Sequence, residues 1–212
     1  MLFDMDGVLV SSIASANRCW RRWAQHYGIA VADDWQIPHG VRAADIVKML
    51  SSDVDVAEGL RLIEDMEIED VHDIVTLPGA RDLLESMPLE RWAIVTSATD
   101  RLLVARLRAA GLPQPERLIS ANMVERGKPD PLPYLMGAER LGVAAKECLV
   151  FEDAPSGVKA GVAAGARVLG VLGTTPAEVL RELGVSWLVP SLAAVKAVDG
   201  VGGLSVRIET VL

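Results

Sequence analysis

From residue 80 to residue 189 the chain alternates short apolar runs with helix-patterned stretches, and this alternation restricts the fold more than any other feature. The runs fall at 92–96, 118–120, 148–151, 167–171 and 187–189. Runs this short, separated by roughly one helix length each, predict parallel strands joined by helical crossovers. Residues 1–3 supply one more strand, cut short by Asp4. The expected fold class is α/β, with a Rossmann-like doubly wound parallel sheet at its core. The stretch after the first strand breaks the alternation. Apolar residues at Ile13, Ala16, Trp20, Trp23, Ala24 and Tyr27 follow helical spacing, with Ser11 or Ser12 as N-cap and Gly28 as stop. Further helical patterns follow at 43–50, 56–66 and 69–75, with no convincing strand among them. Residues 12–77 are therefore expected to form a small α-helical domain inserted into a core of residues 1–11 and 78–212, with Pro78-Gly79 marking the return. The tail, with Gly202-Gly203 before residues 204–211, either adds a small strand or frays.

The ends of the apolar runs carry the chemistry. Asp4-Met5-Asp6-Gly7 closes the first strand. Residues i and i+2 of a strand face the same side, so the two carboxylates project together, and Gly7 permits a sharp turn. Carboxylates so close need a metal, a proton or a cation between them. The run at 92–96 ends at Thr96-Ser97, the run at 118–120 leads to Gly127-Lys128-Pro129-Asp130-Pro131, and the run at 148–151 ends at Glu152-Asp153. Sites in open parallel sheets form outside the carboxyl ends of the strands. All four groups can meet there as a kit for holding Mg²⁺ and a phosphoryl group. Each also has a plainer reading. Thr-Ser at a strand end often caps a helix, Gly-Lys-Pro is an ordinary solvated turn, and adjacent acids favour helix starts.

In this order the four segments resemble the haloacid dehalogenase superfamily of phosphohydrolases. Gly127-Lys128-Pro129-Asp130-Pro131 and Phe151-Glu152-Asp153-Ala154-Pro155-Ser156-Gly157 look like its sugar-phosphatase branch, with β-phosphoglucomutases as neighbours. The resemblance implies a Mg²⁺-dependent phosphomonoesterase acting on small sugar or polyol phosphates. Asp4 would be the nucleophile and a metal ligand. Asp6 would be the general acid and base, and its backbone carbonyl a further ligand. Thr96, Ser97 and Lys128 would hold the phosphoryl group, and Asp153 and Glu152 would complete the metal site, Glu152 directly or through water. His39-Gly40-Val41-Arg42 resembles the loop by which the inserted cap approaches substrate. Arg42 is open between a bidentate clamp on substrate and a surface pair with Asp45. His39 is more often structural in such a loop, His26 and His72 are read as surface residues, and Trp20 and Trp23 as core. Trp35 is open between the two roles.

Three departures bear on the branch. Position 8 is Val where many relatives have Thr, and position 11 is Ser where the branch commonly has Asp. Position 16 is Ala where the mutases carry His. The last favours a phosphatase over a β-phosphoglucomutase-like isomerase, which stays as the alternative. Retention of Asp4, Asp6, Thr96, Lys128 and Asp153 argues against a catalytically dead binding protein.

A net charge of −8 excludes a basic stripe for nucleic acid, though not an anionic small substrate bound through local cations. With only 4% aromatic residues the core must rest on Val, Leu, Ala and Ile. Cys19 and Cys148 are expected as buried thiols rather than a disulfide or zinc site. Asp4 and Asp6 interrupt what a signal-peptide core would need, and no run of 18 apolar residues offers a membrane span, so a cytoplasmic location is expected. The very short first strand leaves an upstream extension open. No segment reads as a dedicated apolar interface, and a monomer is expected.

Overall fold

A computed structural model of the chain describes residues 1–32, 34–200 and 203–209. In chain order the elements are β1 (Leu2–Phe3), β2 (Val10–Ser11), α1 (Ile13–His26), α2 (Ala43–Leu50), α3 (Val56–Glu69), β3 (Val75–Thr76), α4 (Ala80–Glu85), β4 (Ala93–Val95) and α5 (Asp100–Ala109). They continue with β5 (Leu118–Ile119), α6 (Leu132–Arg140), β6 (Leu149–Glu152), α7 (Pro155–Ala163), β7 (Arg167–Val171), α8 (Ala177–Glu182), β8 (Trp187–Val189), β9 (Val195–Gly200) and β10 (Gly203–Ile208).

Six strands form one parallel sheet in the order β5-β4-β1-β6-β7-β8, as the alternating pattern predicts. The chain winds outward from β1 through β4 to β5, then returns to β6 on the other side of β1. The order therefore reverses around β1, the point where crevices open in such sheets. Alternate residues of one strand feed opposite faces. Leu2 packs with Ala93, Val95, Val150 and Tyr134 on one face. Phe3 packs with Ile94, Phe151 and Leu169 on the other. The Phe3 and Phe151 rings stack at 4.3 Å between centroids. Register places Phe3 beside Ile94 and Phe151, so Asp4, Thr96 and Asp153 all emerge at one edge of the sheet.

Helices α1, α2 and α3 carry their own core, built on Trp20, Trp23, Ile46, Val47 and Ile63. Trp20 and Trp23 are buried as expected, and Trp23 Nε1 donates to the Gly59 carbonyl at 2.8 Å. Cys19 and Cys148 are buried free thiols. Among the described residues, no helix is long and apolar enough to cross a membrane.

Two sequence expectations need correction here. The helix expected over 69–75 does not form, because α3 ends at Glu69 and the following residues serve a side-chain network instead. Arg18 donates to the carboxylates of Asp70 and Asp73, and Ser15 to the Asp70 carbonyl. Nor is the insertion free of strands. Val75–Thr76 pairs antiparallel with Val10–Ser11, tying the two chain connections together at its root. At two residues each, such strands leave no periodicity to read. In the tail, β10 pairs antiparallel with β9, while 202 and 211 lie outside the described residues.

The Phe3–Phe151 stack makes the sheet centre sensitive to truncation. Phe151→Ala should destabilise by about 3–5 kcal/mol, against at most about 0.5 kcal/mol for the exposed Val104→Ala. Urea unfolding of the two variants checks this.

Candidate active site

Asp4 continues β1, its amide donating to the Phe151 carbonyl at 3.0 Å, so the carboxylate leaves the sheet at the crevice. Beneath it lies Lys128, 2% exposed, from the loop before α6. Its Nζ donates to Asp4 Oδ1 at 2.7 Å, Glu152 Oε1 at 2.7 Å and the Val95 carbonyl at 3.0 Å. Three donors meet three acceptors, and the face of Tyr134 lies 4.9 Å away. Burial opposes the ammonium charge, but Asp4 and Glu152 outweigh it and raise its pKa. In this arrangement Lys128 acts on Asp4 and has no free proton for a second anion.

Glu152 is committed on both oxygens. Oε1 also accepts from Tyr134 Oη at 2.6 Å, and Oε2 accepts from the amides of Asp153 and Ala154. This packing needs Gly157, where a Cβ would lie 1.6 Å from Glu152 Oε1. Glu152 thus sits behind the crevice as the counter-charge to Lys128. Asp153 differs. The hydroxyl of Thr174 donates to its Oδ2, while its Oδ1 is buried with no partner among the described residues. Gly7, at φ +82°, lets the chain turn over this carboxylate, and a Cβ there would lie 2.0 Å from Asp153 Oδ2.

Asp4, Glu152 and Asp153 offer carboxylate oxygens within 4.8 Å of one another, all buried. One ammonium faces three carboxylates. Burial first, then the neighbouring acids, push the Asp4 carboxyl up to about 7 despite Lys128. The same causes hold Asp153 well above its ordinary range. An orphaned buried oxygen and a surplus of negative charge fit a hard divalent cation with oxygen ligands. A second acidic group, Asp70, His72 and Asp73, is already engaged by Arg18.

Asp6 is held apart from that cluster. Ser12 Oγ donates to its Oδ1 at 2.5 Å, and Arg106 Nη1 lies 2.9 Å from its Oδ2. Ser12 is the N-cap residue of α1, but its hydroxyl serves Asp6 rather than the helix. The second amino group of Arg106 donates to Glu67 Oε1 at 3.0 Å. Burial raises the Glu67 carboxyl, with Arg106 pulling it back. The two carboxylates of Asp-x-Asp therefore open on one cleft but have separate partners. Between sheet edge and insertion the cleft is lined by Asp4, Asp6, His39, Ser97, Thr99 and Arg106, among others.

Thr96 does not cap α5; its Oγ1 accepts from the Ala98 amide at 3.0 Å, and Thr99 is the cap. Ser97 Oγ donates to the Gly40 carbonyl and Ser156 Oγ to the His39 carbonyl, so two core hydroxyls pin the loop before α2. His39 lines the cleft, with burial lowering its pKa. Arg42 takes the plainer of its two readings. It pairs with Asp45 at 2.8 Å and donates to the carbonyls of Val124 and Glu125, outside the cleft lining.

Arg106, Glu67 and Thr174 escaped the sequence reading. Arg106 stands four residues after Leu102 and Glu67 four after Ile63, each a charge at a core-facing helical position. That spacing is a legible signal, since buried charges must be paired. No comparable signal marks Thr174.

A family model for haloacid dehalogenase-like hydrolases matches residues 1–165. The chain is 40% identical over 196 residues to hexitol phosphatase A of Escherichia coli (strain K12), an alignment covering 90% of each chain. It is 31% identical over 222 residues to glycerol-1-phosphate phosphohydrolase 2 of Saccharomyces cerevisiae (strain ATCC 204508 / S288c), covering 99% of this chain and 87% of that one. The solved structure of a hydrolase from Pseudomonas syringae superposes with a TM-score of 0.82 at 28% identity, covering 91% of this chain and 93% of that one.

The electrostatics of the acidic cluster make a testable pH dependence. A carboxyl raised from 3.8 to about 7 stabilises the metal-free fold below its unfolded value and loses that contribution as pH rises through about 7. A divalent cation bound there would restore it at high pH. Saturating Mg²⁺ should therefore raise Tm by about 5–10 °C at pH 8 and by much less at pH 5. Asp153→Asn should shrink the increment; thermal unfolding with Mg²⁺ and with chelator measures both.

Proposed function

The chain belongs to the haloacid dehalogenase-like hydrolase family, and from that footing we propose a Mg²⁺-dependent phosphomonoesterase acting on small sugar or polyol phosphates. The observation that carries the reading is the state of Asp4. It is a buried carboxylate lining the cleft, held through Oδ1 by Lys128, with Oδ2 free of protein donors among the described residues. A carboxylate so held is oriented for attack on phosphorus.

In this reading Asp4 displaces the alcohol from the phosphoryl group, giving an aspartyl phosphate, and the leaving oxygen takes a proton from Asp6. Water then attacks the aspartyl phosphate while Asp6 takes up a proton, restoring both side chains. Arg106 and Ser12 fix the Asp6 carboxylate at the cleft while it changes roles. Thr96 and the Ser97 amide meet the phosphoryl oxygens at the end of β4, and Lys128 works from behind by holding Asp4. Asp4, the Asp6 carbonyl and Asp153 would hold Mg²⁺, with Glu152 supporting from the outer side. The bound ion would screen phosphoryl oxygens from the attacking carboxylate. The helical insertion serves as the cap that closes the cleft and contacts the alcohol, with the His39 loop at its edge. Arg42 then acts as a clasp between cap and core rather than as a clamp on substrate.

The isomerase alternative is disfavoured by the cap side of the cleft. A mutase must also hold a bisphosphate, yet Ala16 lines the cleft where the resemblance asks for His, and Glu64 and Glu67 line it nearby.

Phosphate release from a panel of sugar and polyol monophosphates tests the reading. Wild type with Mg²⁺ should turn over at least one; chelator and Asp4→Asn should each abolish it, and Asp6→Asn should lower kcat by roughly 10²–10⁴. Silence across the panel, or turnover that survives Asp4→Asn, refutes the assignment.

A further inference from the structure

Resting on the phosphatase reading and narrowing its substrate, we infer that Glu64 and Glu67 form a charge filter. It admits phosphomonoesters whose alcohol part is uncharged and rejects those carrying a second phosphate or a carboxylate.

The geometry follows from Asp6. To receive its proton, the leaving oxygen must lie against the Asp6 carboxylate, so the atoms beyond that oxygen extend over what Asp6 touches. Asp6 Oδ2 lies 2.9 Å from Arg106 Nη1, and Arg106 Nη2 lies 3.0 Å from Glu67 Oε1. A single guanidinium group separates the proton donor from Glu67. Glu64, one turn earlier in α3, lines the same cleft and accepts from the Thr99 hydroxyl. The alcohol part therefore runs along a wall of Arg106, Glu67, Thr99 and Glu64.

That wall offers a second anion no welcome. Among the described residues lining the cleft, Arg106 is the sole arginine and there is no lysine, against the carboxyl groups of Asp4, Asp6, Glu64 and Glu67. Both amino groups of Arg106 are engaged, Nη1 by Asp6 and Nη2 by Glu67. Lys128 spends its three donors below Asp4. Arg101, which also pairs with Glu64, has a side chain 60% exposed and lies outside the lining. Arg42 is spent on Asp45 and on carbonyls of the core. A distal phosphate or carboxylate would enter a cleft lined by acidic groups with no uncommitted cation to meet it. Hydroxyl groups behave oppositely, since they donate to carboxylate oxygens without bringing charge. The exclusion of a charged competitor is a specificity device as effective as a new attraction.

Matched pairs test the filter. Glycerol 1-phosphate and 3-phosphoglycerate differ by a hydroxymethyl against a carboxylate, and fructose 1-phosphate and fructose 1,6-bisphosphate differ by one phosphate. In wild type kcat/KM should favour the singly charged-end member of each pair at least a hundredfold. In Glu64→Gln and Glu67→Gln that ratio should fall at least fivefold, read as a quotient so that loss of overall activity does not mimic it. Should the buried Glu67→Gln fail to fold, Glu64→Gln, at the more exposed of the two side chains, carries the comparison alone. A wild-type ratio near one, or ratios unmoved in the folded variants, overturns the filter while leaving the phosphatase reading intact. If no substrate is turned over, that reading fails on its own, and binding decides the filter separately. Calorimetry on Asp4→Asn with Mg²⁺ should then show 3-phosphoglycerate binding at least tenfold more weakly than glycerol 1-phosphate, and equal or absent binding of both overturns the filter.

Discussion

A buried ammonium between two buried carboxylates joins the site to the fold. Lys128 reaches Asp4 after β1, Glu152 at the end of β6, and the carbonyl of Val95 at the end of β4, with Tyr134 of α6 closing the group. Removing the ammonium would leave buried carboxylates uncompensated out of water, a loss of several kcal/mol. The ends of three central strands are therefore held together by the same contacts that orient Asp4.

Around that axis the acids fall into two electrostatic compartments. Asp4, Glu152 and Asp153 share a single ammonium and keep an orphaned oxygen, so their compartment is short of positive charge. Asp6 has an arginine and a hydroxyl of its own. Carboxylates two residues apart in sequence thus receive different environments, which the proposed division into nucleophile and proton carrier requires. The helical insertion participates in the second compartment through Glu67 and Ser12, so the position of the insertion and the setting of Asp6 are mechanically linked. Its loop is further pinned by Ser97 and Ser156, both from core segments at the crevice. Placement of the insertion is accordingly tied to the candidate site.

Much of this was legible in the chain. Apolar runs at 92–96, 148–151 and 167–171 marked strands because a parallel strand buried on both faces leaves a continuous apolar signature. The polar residues ending those runs marked the site because such sheets expose chemistry at one edge. Reading failed where signals were short or where a side chain had two uses. The strands Val10–Ser11 and Val75–Thr76 are too brief to show a period, and the expected helix over 69–75 gave way to a network around Arg18. Arg42 was open between substrate and Asp45, and only the distances showed it clasping Asp45 and the Val124 and Glu125 carbonyls.

The amino-acid order by itself determined the strand and helix alternation, the family and the chemical kit, because these depend on local pattern and on motifs that need no partner to be recognised. It also carried, unread, the signal of Arg106 and Glu67 as charges at core-facing positions. Only the tertiary structure decided which carboxylate answers to which cation. Asp4 and Lys128 are 124 residues apart, and Arg106 reaches Glu67 across 39. Electrostatic partnership falls off over a few ångströms of space and is indifferent to separation along the chain, so no local pattern can assign it.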